Sequence, residues 1–246
     1  MEYRIRLAGD SALLIEFEQD IKQETNQKIK AMLQLLKEQP IEGVHDIIPA
    51  FASLLINYDP HILSYKSLVS QLTTLLQQDI RTAQKEQRII EIPVCYGGEY
   101  GPDIQFVAQN AGLSEAEVIA RHTSRDYLIY MLGFLPGFPY LGGLDETIHT
   151  PRLENPRLTI AAGSVGIGGS QTGIYPLASP GGWRLIGRTP LKTYDPQKQQ
   201  PFIFGAGDYI RFKAVDESDY HSIHQAVLAG SYEIAVLTGE EVRNGD

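Results

Sequence analysis

The densest grouping of chemically able side chains lies between Ala161 and Pro190, in AAGSVGIGGSQTGIYPLASPGGWRLIGRTP. Ser164, Gln171, Thr172 and Tyr175 offer hydroxyls and an amide. Trp183, the sole tryptophan, offers an aromatic face, and Arg184 and Arg188 offer fixed cations. Twelve of the 23 glycines fall between Gly133 and Gly187. In strand interiors, at ~0.5 to 1 kcal/mol each, they would cost roughly 6 to 12 kcal/mol, about the whole stability of a domain. Such density requires positive-φ turns, close backbone approach, or both.

Several chemistries are excluded by what the segment lacks. A nucleotide P-loop needs G-x-x-x-x-G-K-[ST], and no lysine lies between Lys85 and Lys192. The same absence removes a Schiff-base lysine. A dinucleotide fingerprint needs a helix after its glycines, and GIGGSQTGIYP cannot continue as one. A-G-S-V-G resembles a nucleophile elbow, but that motif turns a strand sharply into a helix. Here β-type sequence follows, so Ser164 reads as a polar liner or a turn residue. The six histidines are scattered. His221 and His224 share a helix face without a third ligand, so an exposed face is expected there and no metal in this chain.

What remains is a binding surface. Turn glycines at Gly168, Gly169, Gly181 and Gly182 expose backbone N–H groups that attract anions. Arginine pairs bidentately with a carboxylate, and Arg152, Arg157, Arg184 and Arg188 are the nearby cations. Tyr140, Tyr175 and Trp183 would supply an aromatic wall. The alternative is that the arginines are surface residues and the aromatics core. The companion segment GFLPGFPYLGGL, Gly133 to Leu144, alternates apolar residues with Pro and Gly. Pro136 and Pro139 cannot sit in a central ladder, so an irregular apolar loop is expected. Phe134, Leu135, Pro136, Phe138 and Tyr140 would then form a partner-binding patch if exposed.

These residues must be held by some framework. The chain has 246 residues, 43% hydrophobic and 21% charged, with a net charge of −9. That is an ordinary globular composition, and its sign disfavours a nucleic-acid partner. No apolar run reaches the ~18 to 20 residues of a membrane span, and the amino terminus lacks the apolar core of a signal peptide. A single cysteine, Cys95, excludes a disulfide framework. A cytoplasmic protein is expected. Residues 1–88 read as a small α/β unit of order ββαββαβ. Its first helix carries Ile29, Met32, Leu33 and Leu36 on one face, and its second starts after Ser64 as N-cap. The charged run Arg81–Arg88 reads as a linker or as a helix end. Residues 89–246 open with two short helices, marked by Gly112 as a stop and by Ser114 with Glu117 as a capping box. Short β-type runs punctuated by Gly and Pro follow, as in a β-barrel. One late helix, about Glu217 to Leu228, interrupts them, with Tyr220, Ile223 and Val227 on its apolar face.

The segments GVHDIIPAFASLLINYDP, IPVCYGGEYGPD, GFLPGFPYLGGLD, the block Pro151 to Pro190 and GDYIRF occur in order over nearly the whole chain. Together they resemble the family of the B component of 5-oxoprolinase, also known as the Kip-type inhibitor or allophanate hydrolase subunit 1 family. The resemblance implies an α+β protein with a ferredoxin-like amino-terminal domain and a cyclophilin-like β-barrel. Fold alone brings no prolyl isomerase activity with it. It further implies a cytoplasmic hetero-oligomer with the A and C components of 5-oxoprolinase, which opens the lactam of 5-oxo-L-proline to L-glutamate. That reaction uses ATP, whose site the resemblance does not assign to this chain, and the chain is expected to be inactive alone. Two other roles occur in the family: inhibition of a sporulation histidine kinase through the carboxy-terminal domain, and a carboxyltransferase-type role in urea and allophanate metabolism. The resemblance names no catalytic residue.

Overall fold

The structure, a computed structural model, describes residues 3–17, 23–76, 88–239 and 242–243. It divides into two compact units, Met1–Lys85 and Glu86–Asp246. The linker expected over Arg81–Arg88 falls, except for Arg88, outside the described residues.

In the first unit β1 (Arg4–Leu7) and β2 (Ala12–Glu16) make a hairpin, and α1 (Gln23–Glu38) follows. A second hairpin, β3 (Val44–Pro49) and β4 (Ser53–Tyr58), leads to α2 (Tyr65–Leu76). The four strands form one antiparallel sheet in the order β1-β2-β4-β3. Residues of β4 alternate between buried and half-buried, the period of two that a one-sided sheet requires. Leu13, Ile15, Leu54 and Ile56 meet Ile29, Met32 and Leu36 of α1 and Leu68 and Leu72 of α2 in a common core. Ser64 accepts the Ser67 amide at 3.3 Å, the expected cap.

The seventh element of the expected ββαββαβ order is not part of this sheet. That strand, β5 (Arg88–Tyr96), belongs to the second unit, where it runs parallel to a late strand, β13 (Tyr209–Val215), over seven residue pairs. The first unit is therefore ββαββα, two hairpins each followed by a helix, whereas the ferredoxin-like arrangement is a split βαβ.

The second unit continues through α3 (Ile104–Ala111) and α4 (Glu115–Thr123) to β6 (Asp126–Leu132), β7 (Pro139–Gly142), β8 (Arg157–Ile160) and β9 (Ser164–Gly168). Then come β10 (Gln171–Ile174), β11 (Ser179–Gly181), β12 (Arg184–Arg188), β13, α5 (Glu217–Leu228) and β14 (Val236–Thr238). Seven strands pair in the order β12-β9-β10-β7-β6-β13-β5, and β12 returns to β5 to close a barrel. β14 pairs with the start of β5, and β8 and β11 form a separate ribbon. Closure depends on Gly187. A β-carbon there would stand 2.6 Å from a Val94 methyl and 2.8 Å from the Cys95 carbonyl oxygen.

The interior is filled by alternate residues: Ile90, Ile92 and Val94 of β5, Val165 and Ile167 of β9, Ile174, Ile186, Ile210 and Phe212. The helix signals act locally as expected. Gly112 closes α3 at φ +66, and Ser114 and Glu117 form a reciprocal capping box on α4. No helix among the described residues is long and apolar enough to cross a membrane.

Candidate functional site

Because Val165 and Ile167 of β9 point inward, Ser164, Gly166 and Gly168 face outward. On β10, Gly173 pairs with Gly166 and shares that outer face. These glycines form a floor for one indole. A β-carbon at Gly168 would lie 2.4 Å from Trp183 Nε1, and one at Gly173 would lie 3.1 Å from the same ring. Phe138 stands edge-on to Trp183 at 5.4 Å and to Tyr175 at 5.2 Å, and Tyr140 packs beside it at 5.1 Å. With Ile160 and Leu185 they make a second small core outside the barrel. Tyr140, Tyr175 and Trp183 are thus brought together, as part of this packing. Arg152 lies 5.8 Å from the Trp183 ring.

The expected patch on Gly133–Leu144 divides. Phe138 is buried, because it is the hub of this aromatic cluster. Leu135 and Tyr140 pack partly against it, and Pro136 is exposed. Phe134 is 65% exposed, and at φ +66 it is the one non-glycine residue in the left-handed region among those described. Leu132 to Gly137 and Phe202 line an open apolar pocket of about 330 Å³ here.

Gly169 is no free donor. Its N–H bonds the Thr150 carbonyl at 2.8 Å, and its carbonyl accepts the Thr150 N–H. Gly168 lies within the β9–β10 ladder. Gly181 lies in the β8–β11 ribbon, and the Gly182 carbonyl accepts the Leu153 N–H. Gln171 is half-buried at the start of β10.

Thr172 points into the barrel, where sequence reasoning missed its partner. His122 of α4 is fully buried, stacked on Phe212 at 4.5 Å. Its Nδ1 is 2.8 Å from the Tyr96 hydroxyl, and its Nε2 is 2.9 Å from Thr172 Oγ1. Thr172 donates its one hydroxyl hydrogen to the Gly166 carbonyl at 3.0 Å, so Oγ1 must accept from His122. That assigns the Nε2–H tautomer and makes Nδ1 the acceptor of the Tyr96 O–H. Burial holds the imidazole neutral, its pKa pushed down to about 3, with the nearby Arg125 charge acting in the same direction.

The two arginines of β12 part company. Arg184 lays its guanidinium 3.6 Å from the Phe106 ring centroid on α3 and donates to the Pro151 carbonyl. Arg188 lies across the ladder from Ser164 on one side and Cys95 on the other. Tyr175 bonds the Ser164 backbone from the far side, so an outward row runs Cys95, Arg188, Ser164, Tyr175. Tyr100 stands beside Arg188 at 5.8 Å, and Tyr220 of α5 packs against Tyr100 at 4.6 Å. The Tyr100 hydroxyl is 3.3 Å from Glu217 Oε1 and 3.4 Å from His221 Nε2. Burial, and then the Glu217 charge, push the Tyr100 pKa up to about 12, so it stays a neutral donor. The Cys95 thiol is pushed up by burial and then by Glu217, Asp216 and Glu99, which makes it a poor nucleophile. The signal for this end was present in the Tyr100, Tyr220 and His221 spacing only once α5 was folded over β5.

Arg157 pairs with Asp103 at 2.9 Å, and the other carboxylate oxygen accepts the Leu185 N–H. Arg211 and Asp126 form a buried bidentate pair at 2.7 and 2.9 Å. Among the described residues no cluster of three metal-ligating side chains is present.

The family model described as carboxyltransferase domain, subdomain C and D, matches residues 3–204. A Bacillus subtilis protein, named as the B component of 5-oxoprolinase, is 45% identical over 233 residues, spanning 90% of this chain and 97% of its own. The Escherichia coli O157:H7 protein of the same name is 42% identical over 212 residues, spanning 85% and 94%. The crystal structure of Kluyveromyces lactis urea carboxylase shares the fold at a TM-score of 0.81 and 22% identity. The match covers 96% of this chain and 24% of that one. With a family model over most of its length and relatives matched nearly end to end, the chain belongs to the family of 5-oxoprolinase B components, within the carboxyltransferase subdomain C and D group.

Proposed function

We propose that this chain is the B component of an ATP-dependent 5-oxoprolinase. In that role it opens the cyclic amide of 5-oxo-L-proline to L-glutamate together with the A and C components, in the cytoplasm. The observation that carries the reading is the near end-to-end identity with proteins named as 5-oxoprolinase B components. The balance of the reaction is simple. Water adds to the lactam carbonyl carbon, the carbon–nitrogen bond breaks, and the nitrogen leaves as an amine. A lactam carbonyl is a poor electrophile, and ATP activates it by phosphorylating its oxygen before water attacks. Loss of the ring nitrogen from that adduct leaves an acyl phosphate, and a second water hydrolyses it to the carboxylate and inorganic phosphate, so two waters and one ATP give L-glutamate, ADP and phosphate.

The arrangement of polar residues supports a part-site completed by another chain. Arg188, Ser164 and Tyr100 gather at one end of the barrel, while Arg184 and Gln171 stand apart from them. The chain alone is therefore inactive in this reading. The test mixes purified A, B and C components with 5-oxo-L-proline and ATP. Glutamate released only by the full mixture supports the proposal, and no release above background overturns it.

A second reading, binding of a sensor histidine kinase, is favoured by Phe134. Left-handed backbone at a large side chain is costly, and so is the exposure of that ring. Introducing a charge at Phe134, which is exposed, tests this where substitution of the buried Phe138 would disturb the core. Unchanged kinase inhibition by a folded Phe134→Glu protein sinks it.

A further inference from the structure

We propose that Arg188 and Ser164 form a carboxylate-binding subsite on the outer face of the barrel, flanked by Tyr100 and Tyr220. The inference rests on the proposed function for the identity of the acid, and on geometry for the site. Ser164 is completely buried, yet its hydroxyl has no hydrogen-bond partner. Its cross-strand neighbour Arg188 buries Nε, which also has none. Two adjacent, unpartnered, buried polar atoms are costly, and a native structure supplies the missing partner from outside the chain.

Charge points the same way. Three other part-buried arginines of the barrel each face an aspartate: Arg125 faces Asp145, Arg157 faces Asp103, and Arg211 faces Asp126, while half-buried Arg184 spends its Nε on the Pro151 carbonyl and its charge on the Phe106 ring. Arg125 and Arg157 leave one N–H unpartnered, but their charge is met. Arg188 has the Tyr100 ring instead. A carboxylate laid side-on against an arginine takes Nε–H and one terminal N–H together. Nε is the atom left open. Ser164, opposite Arg188 in the ladder, carries the unpartnered hydroxyl that would donate to the same group.

The ligand class follows from the surroundings. One cation and one hydroxyl suit a single negative charge. Glu99, Asp216 and Glu217 all act on the neighbouring Cys95, and they oppose a doubly charged phosphate about twice as strongly as a singly charged carboxylate. On the proposed function the acid is 5-oxo-L-proline. Its carboxylate is fixed here, which leaves the lactam facing groups from another chain of the complex.

The experiment uses the reconstituted complex, with 5-oxo-L-proline and its carboxylate-free analogue 2-pyrrolidinone as substrates. Loss of one charge-assisted pair raises KM roughly 10- to 100-fold. Arg188→Gln is expected to do this for 5-oxo-L-proline with kcat largely kept, and to leave 2-pyrrolidinone turnover unchanged. Ser164→Ala is expected to act in the same sense, more weakly. If Arg188→Gln, shown folded by circular dichroism, keeps the wild-type KM and preference, the two atoms hold only a water and the proposal fails. If the wild-type complex shows no turnover, the proposed function fails on its own. The subsite is then judged by ligand-observed NMR on the same complex with 5-oxo-L-proline, acetate and inorganic phosphate. Carboxylate binding lost in Arg188→Gln supports it; phosphate binding alone, or no Arg188-dependent binding, overturns it.

Discussion

Replacing His122 by phenylalanine should change how the barrel responds to acid. The imidazole is fully buried and held neutral, with its pKa lowered from 6.5 to about 3. Below pH 6.5 the unfolded chain takes up a proton that the folded chain refuses, so stability falls as pH falls. The contribution is complete above the unfolded pKa and is lost progressively down to the folded one. Linkage gives a loss of about 2 kcal/mol by about pH 5 and about 4 kcal/mol by pH 3. Phenylalanine keeps the stack on Phe212 and removes the titration. It also strands the Tyr96 hydroxyl, at about 1 to 3 kcal/mol near neutrality, while Thr172 keeps its bond to the Gly166 carbonyl. Trp183 is the sole tryptophan and lies in the barrel unit, so its emission in urea follows that unit alone. The variant should be less stable at about pH 7.5, and its deficit should shrink by about 2 kcal/mol at about pH 5. A deficit that is the same at both pH values would refute a neutral, proton-refusing His122.

Three further outcomes rest on packing. Gly168→Ala places a methyl against the Trp183 indole; we expect a loss of about 1 to 3 kcal/mol and a red-shifted tryptophan emission. Two phenylalanines four residues apart should differ sharply in thermal unfolding. Phe138→Ala should lose about 3 to 5 kcal/mol, while Phe134→Asn, which accepts left-handed backbone, should hold or gain up to about 1 kcal/mol. Ser114→Ala removes the cap that accepts the Glu117 amide and should cost about 1 kcal/mol in urea unfolding. The Glu117 carboxyl, now held low first by the Ser114 backbone N–H and then by its hydroxyl, should partly rise toward its ordinary value, as read by NMR titration.

What was legible in the sequence was what short-range rules decide. The limits of α5, the Gly112 stop, and the capping box of Ser114 and Glu117 each depend on a few adjacent residues. β5 was legible as a strand but not as to its sheet, because its partners are β13, β12 and β14, all distant along the chain. The glycine density was read as positive-φ turns, close approach or both, and both occur, at Gly163 and Gly169 and at Gly168 and Gly187. The approaching group was not visible, since Trp183 reaches Gly168 and Gly173 only after β9, β10 and β12 have assembled. His122 carried no signal, because Tyr96 and Thr172 lie 26 and 50 residues away.

The two arginines show most clearly why spacing alone misplaces a site. Arg184 and Arg188 are four apart on one strand, so strict alternation puts them on the same face. The ladder with β9 slips between Leu185 and Gly187, where two steps of β12 oppose one step of β9. Such an irregularity reverses the side of every residue beyond it. Ile186 stays in the core, Leu185 joins the outer aromatic cluster, and Arg188 emerges beside Ser164, separated from Arg184. Gly187 sits at this point because only a residue without a side chain lets β12 approach Val94 and Cys95 closely enough to close the barrel. The same short stretch therefore closes the barrel and delivers an arginine to an outward row that has no aspartate to meet it. A residue needed only for closure would not require a cation there. The cation is the part of the arrangement that folding leaves unexplained, and it is what a bound acid would use.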